Sequence, residues 1–483
     1  MTTEAISAAT FIREYTRELH NKNAAVFAGA GLSVAAGYVD WAGLLAEIIQ
    51  DLGLDPAKHY DLVTIAQYHC NQAGGNKAQL TQTIFNHFAP VKAPTANHKI
   101  LARLPIFTYW TTNYDKLIEK ALEEAKKVPD VKHELKQLSV THPDRDVVVY
   151  KMHGDIGHPA DAVISKDEYE AYPLTMAPFV TALRGDLVEK TFLFLGFSFT
   201  DPNIDYILSR VRVQYEKHQR HHYCIQKKIS KTAGETDEDF NHRELMQHYF
   251  IRDLKRFGIQ TVLVGKYEEI TELLATIAAN YKKSSIFISG AVEEYGSWTK
   301  ADAEGFLHEL SYRIAAKKNR IITGFGVGVG SAVINGSLAY LNEAGKTISD
   351  EDLVMRPFPQ VATGSATLAA QWTDYRKAML DYAGIAVFVF GNKGDPSGKI
   401  VLSNGMREEF DLCMERGAHP LPIGATGYMA HELWKEMDSD LAKFYPSASS
   451  SFVADFQLIG DTSKSPVELR EAVMRLVEHL QKA

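Results

Sequence analysis

Ala24-Ala25-Val26-Phe27-Ala28-Gly29-Ala30-Gly31-Leu32-Ser33 is a short apolar run that passes without a break into a glycine-rich turn. A run of this kind, bounded by polar residues and glycines, is the pattern of a strand buried on both faces of a parallel sheet. Glycines at such a turn either close a tight strand-to-helix connection or let backbone N–H groups approach a pyrophosphate. Just upstream, Ile6, Phe11, Ile12, Tyr15 and Leu19 recur at helical spacing, which predicts an amphipathic helix with its apolar stripe on a core. Downstream, the same apolar pattern predicts strands at residues 106–110, 147–151, 191–197 and 260–264, with helical patterns at 41–52, 114–126 and 202–217 between them. Strands alternating with helices specify parallel βα units and a doubly wound α/β sheet. The polar stretch 228–244 reads as an insertion.

After a helix at 268–281, Lys282-Lys283-Ser284-Ser285 has no periodicity, which sets domain limits of 1–283 and 284–483. A second alternation then starts, with strands near 286–289, 321–324, 353–357, 385–391 and 421–424 and helices at 298–318, 372–382, 429–445 and 466–482. The expected architecture is two Rossmann-like, doubly wound parallel-sheet domains in series.

Composition narrows the function. The chain has 52 basic and 60 acidic residues, a net charge of −8, so the diffuse positive field of a non-specific nucleic-acid binder is absent. Cys70, Cys224 and Cys413 are too few for a disulfide framework or a four-thiolate zinc site within one chain, usage that fits a reducing cytoplasm. No apolar run reaches the roughly 18 residues that a membrane-spanning helix needs. The reading is a cytoplasmic protein with no nucleic-acid or membrane partner and no metal.

Further strand-end motifs join the first. Thr111-Thr112-Asn113-Tyr114-Asp115 sits where open α/β sheets place ligand groups. Asn113 can orient a ribose hydroxyl or a water there, while Asp115 can serve the ligand or cap a helix. In Lys151-Met152-His153-Gly154-Asp155, the imidazole is placed to take a proton near neutral pH. Gly196-Phe197-Ser198-Phe199-Thr200-Asp201 adds a close-approach glycine, a hydroxyl and a second possible cap.

In order and content these motifs resemble the sirtuin family, whose NAD site is built from a Gly-Ala-Gly-x-Ser loop, an Asn-x-Asp segment, a His-Gly pair and a Gly-x-Ser turn. The resemblance spans the first domain. It implies that Gly29, Ala30, Gly31, Ser33, Thr112, Asp115, Gly196, Ser198 and Asp201 hold NAD, with Asn113 and His153 catalytic. Sirtuin deacylases also carry two Cys-x-x-Cys pairs between the His-Gly and Gly-x-Ser motifs. This chain has no cysteine between His153 and Ser198, and Gly37-Tyr38-Val39-Asp40-Trp41 replaces the family's Pro-Asp-Phe-Arg. A zinc-free site that keeps its ribose-handling groups but lacks the acyl-lysine module implies an NAD glycohydrolase. The alternatives are a deacylase or ADP-ribosyl transferase, and a non-catalytic nucleotide-binding regulator.

In the second domain, Thr323-Gly324-Phe325-Gly326-Val327-Gly328-Val329-Gly330 follows a strand and opens a helix. Glycine destabilises a helix by about 1 kcal/mol per residue, so the alternation marks a close backbone approach, to a phosphate or to packed neighbours. Ser289-Gly290 forms a similar turn, Gly405 precedes a helix carrying Glu409, and Arg376 and Lys393 supply positive charge. This half resembles the SLOG family of Rossmann-like nucleotide sensors. A sirtuin-like domain followed by SLOG resembles the NAD-hydrolysing effectors of the Thoeris antiviral system. That likeness implies an activating cyclic ADP-ribose isomer, made by a TIR-domain partner and bound by Ser289, Gly290, Gly324, Phe325, Gly326, Arg376, Lys393, Gly405 and Glu409. It also implies homo-tetramers that stack into filaments, for which the apolar stripe of the first helix is an available surface. His218, His221 and His222 read as a surface basic cluster, and Cys70 as packing.

Overall fold

The computed structural model describes residues 4–58, 60–215 and 219–482. Its internal contacts divide the chain into two units, Met1–Ala278 and Ala279–Ala483.

The first unit is a seven-stranded sheet in the order β3-β4-β2-β1-β5-β6-β7. The strands are β1 (Ala24–Ala28), β2 (Thr108–Thr111), β3 (Pro129–Lys132), β4 (Val147–Lys151), β5 (Thr191–Leu195), β6 (His222–Lys227) and β7 (Ile259–Val264). Every pairing is parallel. β1 lies at the centre, with Val26 opposite Tyr109 on one side and Leu193 on the other. All residues of β1 and β5 are buried, which is why both read as unbroken apolar runs. The chain builds outward from β1 through β2 and then returns to its other side with β5. This is a topological switch point, where α/β sheets bind ligands. The motif-bearing strands β4, β2, β1 and β5 are neighbours, so their loops leave the same edge side by side.

Four expectations need correction. β3 and β6 were not foreseen, because β3 starts on Pro129-Asp130 and β6 starts inside a basic stretch. His222 is the first residue of β6, not part of a surface cluster. It is buried and accepts the Phe192 N–H through Nδ1 at 3.1 Å, and burial pulls its pKa down to about 3. His221 is exposed and His218 lies outside the described residues. The expected insertion at 228–244 instead runs into the helix Asp237–Arg256. Thr236 caps it, with acidic residues in its first turn and Lys255 and Arg256 in its last, a charge order that complements the helix dipole. The stripe of the helix Ala8–His20 is not free for another chain either. Phe11, Tyr15 and Leu19 are buried on the unit's own sheet, where Tyr15 donates to the Ala25 carbonyl at 3.0 Å and Phe11 packs on Tyr223.

The second unit has a five-stranded parallel sheet in the order β10-β9-β8-β11-β14 and a two-stranded antiparallel ribbon, β12-β13. The strands are β8 (Ser285–Ala291), β9 (Arg320–Thr323), β10 (Leu353–Met355), β11 (Ile385–Phe390), β12 (Asn392–Gly394), β13 (Ile400–Leu402) and β14 (His419–Pro422). β8 is central, flanked by β9 and β11, and because the chain builds out through β9 and returns with β11, the turns after β8 and β11 meet at a switch point. The ribbon and the helix Ser450–Leu458 were not foreseen, and the helix expected at 429–445 is two, Tyr428–Ser439 and Leu441–Phe444. Among the described residues no helix is long and apolar enough to cross a membrane.

Candidate functional site

At the centre of the first unit, the glycines are fixed by packing. The Gly29 N–H donates to the Leu195 carbonyl and the Gly31 N–H to the Gly196 carbonyl, both at 2.9 Å. A Cβ on Gly29 would strike the Gly196 carbonyl oxygen, and one on Gly31 would lie 2.9 Å from Gly196 Cα. The turn after β1 and the end of β5 are therefore in backbone contact, and these two N–H groups serve that contact. Gly196 sits at φ +62°, where a Cβ would strike the Leu32 amide. Gly196→Ala is expected to destabilise the unit by at least roughly 1–3 kcal/mol from backbone strain alone, read as a fall in the denaturation midpoint. An unchanged midpoint would show that the contact yields.

Asn113 is held by this loop. Its Nδ2 donates to the Gly29 carbonyl at 3.0 Å and to Ser33 Oγ at 3.1 Å, and Ser33 Oγ donates to Asp115 Oδ2 at 2.7 Å. Both amide hydrogens are thereby engaged, which leaves Oδ1 to accept from a ligand hydroxyl or water. Asp115 also takes the Leu117 N–H through Oδ1 at 2.9 Å at the start of the helix Leu117–Glu124. Ala30, Ser33, Trp41, Thr112, Asn113 and Asp115 line one pocket together with the apolar side chains of Leu44 and Phe88.

His153 lies beyond the next strand end and is wholly buried. Its Nδ1 is 3.3 Å from the Tyr169 hydroxyl and its Nε2 is 3.4 Å from Asp201 Oδ2, and Nε2 makes no hydrogen bond. Burial lowers the imidazole pKa, and the charges of Asp201 and Glu168 oppose that shift. Asp201 also caps the helix Pro202–Tyr215, its Oδ1 accepting from Asn203 N at 3.0 Å and Ile204 N at 3.2 Å. Ser198 is exposed and bonded to Thr200 Oγ1 at 2.8 Å.

Sequence reasoning gave Lys151 no role, yet its ammonium ties the two halves of the site together. It is fully buried and lies 2.5 Å from the Asp115 carbonyl, 3.2 Å from the Tyr114 carbonyl, 3.0 Å from Glu119 Oε1 and 2.6 Å from Asp155 Oδ2. The strand end bearing Asn113 is thus joined to the loop that follows His153. A lysine at the end of the otherwise apolar stretch 147–151 was the available signal. Tyr169 carried none, since it sits in a helix well away from the motifs.

Among the described residues, His133, Glu134 and His158 are the one group of metal-ligand types within reach of each other. Two of its members, His133 and Glu134, already have protein partners. The Gln137 amide oxygen accepts from His133 N at 2.7 Å and Glu134 N at 3.0 Å, which turns its NH2 onto His133 Nε2 at 3.1 Å, and Lys136 takes Glu134 at 2.7 Å. The Cys70 thiol is pushed up by burial and is no poised thiolate.

In the second unit, Ser289 Oγ donates to Glu409 Oε2 at 2.5 Å, while Arg376 Nε lies 3.4 Å from Glu409 Oε1. Arg376 also donates to Glu408 at 2.9 Å and lies over the Phe358 ring at 5.0 Å, and neither partner was foreseen. Burial raises the Glu409 pKa against the opposing effects of Ser289 and Arg376. A Cβ at Gly405 would lie 2.5 Å from Arg376 Nη2, one at Gly324 would lie 2.6 Å from Phe358, one at Gly290 would lie 2.7 Å from Val389, and one at Gly326 would strike the Gly290 carbonyl. Phe325 takes a left-handed φ of +57° and is half exposed. Lys393 reaches Asn404, beside Gly405, at 2.5 Å. Ser289 near the end of β8, Gly405 and, through Phe358, Gly324 therefore meet at one carboxylate–guanidinium pair, Glu409 and Arg376, held on two helices.

Comparison with known proteins agrees with this layout. Residues 108–254 match the SIR2-like domain and residues 269–480 match the Sir2- and TIR-associating SLOG family. The chain is 48% identical to the NAD(+) hydrolase ThsA of Bacillus cereus (strain MSX-D12), covering 98% of this chain and 97% of that one. It is 45% identical to the NAD(+) hydrolase ThsA of Acinetobacter baumannii (strain 532279), covering 97% and 98%. The defense-associated sirtuin 2 of Bacillus subtilis is 29% identical over 217 residues, 42% of this chain and 20% of that protein. With near-complete coverage at such identity, and the SIR2-like and SLOG matches falling in that order along the chain, this protein belongs to the ThsA family.

Proposed function

We propose that the first unit hydrolyses NAD to nicotinamide and ADP-ribose, and that a cyclic ADP-ribose isomer bound by the second unit switches it on. The observation that carries the catalytic reading is the fixed chain Asn113–Ser33–Asp115 on the wall of a pocket at the switch point. Asn113 Oδ1 orients the nicotinamide ribose or the attacking water. The bond between ribose C1′ and the nicotinamide nitrogen breaks, its electron pair leaving with nicotinamide. Water adds to C1′ and its proton passes to His153. Fixed dipoles around the developing oxocarbenium ion supply much of the rate. Thr112 and the turn after β1 hold the rest of the dinucleotide, with Ser198 near the adenosine.

The sensing half of the reading is supported by the Ser289–Glu409–Arg376 cluster, in which Arg376 Nε is buried without a hydrogen bond. A guanidinium and a carboxylate suit the phosphates and ribose hydroxyls of a nucleotide signal. In this reading the signal comes from a TIR-domain partner, the active form is a homo-oligomer built on tetramers, and NAD depletion in the cytoplasm serves anti-phage defence. The test is nicotinamide release by the purified chain with and without a panel of cyclic ADP-ribose isomers. One isomer should raise the rate, and Arg376→Ala should raise the concentration needed for half-activation at least about ten-fold, the value of one charged hydrogen-bonding contact. Wild-type activation of Arg376→Ala would refute the sensing site, and no release under any condition would refute the hydrolase.

A further inference from the structure

The chain's own geometry determines which nitrogen of His153 is the base. Tyr169 Oη has one hydrogen and two neighbours, His153 Nδ1 at 3.3 Å and Asp201 Oδ2 at 3.4 Å. Asp201 Oδ2 can only accept, and His153 Nε2, although 3.4 Å away, makes no hydrogen bond to it, so the phenol hydrogen goes to Asp201. At Nδ1 the phenol oxygen must then accept, which places the imidazole proton on Nδ1 and leaves the lone pair on Nε2. Nε2 is the ring nitrogen that is buried without a hydrogen-bond partner. In a wholly buried ring such an unpaired atom calls for a physical reason.

We propose that Tyr169 is a positioning residue that fixes His153 in the Nδ1–H tautomer, through a relay from His153 Nδ1–H to Tyr169 Oη–H to Asp201, so that Nε2 is the atom that takes a proton during NAD cleavage. This rests on the role given to His153 above. When Nε2 gains the proton from water, the imidazolium that forms has the Asp201 carboxylate 3.4 Å away to stabilise it. The groups facing the ring are Tyr169 and Tyr172 from the helix Lys166–Thr175, Asp201 from the end of the loop after β5, and, by charge alone, Glu168, which is itself paired with Lys77. The phenols of Tyr169 and Tyr172 are pushed far above neutrality, chiefly by burial, so neither adds a charge. The design has the logic of an oriented histidine base, with a tyrosine inserted between imidazole and carboxylate.

The experiment is nitrogen NMR of the full chain labelled at histidine, with the His153 signal assigned by its loss in His153→Ala. Wild type should show Nδ1–H with Nε2 unprotonated, and Tyr169→Phe should move the ring toward Nε2–H. Alongside, kcat for nicotinamide release should fall at least about ten-fold in Tyr169→Phe, with KM within about two-fold, because the base atom is blocked while the binding wall is intact. Asp201→Asn keeps a good helix cap and removes the charge that raises the His153 pKa, so the acidic limb of kcat/KM should move to lower pH. An Nε2–H tautomer in wild type, or wild-type kcat in Tyr169→Phe, overturns the proposal. If Tyr169→Phe does not fold, an unmoved limb in Asp201→Asn does the same. Nicotinamide release by His153→Ala would instead overturn the role of His153, a separate outcome from the tautomer itself.

Discussion

Lys151→Met is expected to lower the stability of the first unit by about 3–5 kcal/mol, the usual effect of removing one partner from a buried ion network. The Lys151 ammonium sits among Glu119, Asp155 and two backbone carbonyls with no exposure to water. Methionine fills a similar volume but leaves two carboxylates facing an apolar group. Chemical denaturation measures the loss, and Lys151→Met combined with Glu119→Gln and Asp155→Asn should recover most of it. A single variant within 1 kcal/mol of wild type would refute the network's role. The pH dependence follows from the signs. Burial alone would lower the Lys151 pKa, but Glu119 and Asp155 hold it above its ordinary 10.5, so its contribution is complete below that pH and is lost as pH rises through the folded value. Asp155 runs the other way. Despite burial, Lys151 holds its pKa below 3.8, so its contribution is present above that pH and is lost as pH falls through the folded value.

The other large effect is expected at Asn113. Asn113→Ala removes the one side-chain carbonyl that the loop leaves free at the pocket wall, and nicotinamide release should fall by roughly 10²–10³-fold, as for loss of a preorganised polar group at a reacting centre. The second unit, with its own core and its own sheet, should keep its affinity for the proposed activating nucleotide unchanged. Rate and activator affinity measured on the same preparation separate the two effects. Cleavage at the wild-type rate would remove Asn113 from the reaction. Loss of activator affinity together with activity would point to misfolding instead.

Much of this was legible because burial writes itself into composition. β1 and β5 are covered on both faces, so their sequences admit only apolar residues, and the glycines that follow are required by backbone contact. β6 escaped because its first residue is a histidine made neutral by the fold, a state that sequence alone does not encode. β3 escaped because it is an edge strand, where Pro129 and Asp130 are tolerated. The candidate site divides the same way. Asn113, Asp115 and His153 stand at strand ends and could be read from position, whereas Tyr169, Lys151 and Glu408 matter through partners distant in sequence. Spacing marked Gly29 and Gly31 as a turn, but it could not reveal that both N–H groups bond to the end of β5.

The first helix lies on the strands of its unit that are made last. Ile6 N donates to the Thr261 carbonyl at 2.9 Å, and Glu14 accepts from the Tyr223 hydroxyl, 209 residues further along the chain. At the ribosomal pace of about 5–20 residues per second, that interval is roughly 10–40 s. Throughout it, Phe11, Tyr15 and Leu19 have emerged without the β6 and β7 surfaces that will cover them. The first unit is therefore completed only when its last strand has emerged, and nascent chains stalled before β7 present a sticky amphipathic helix to chaperones.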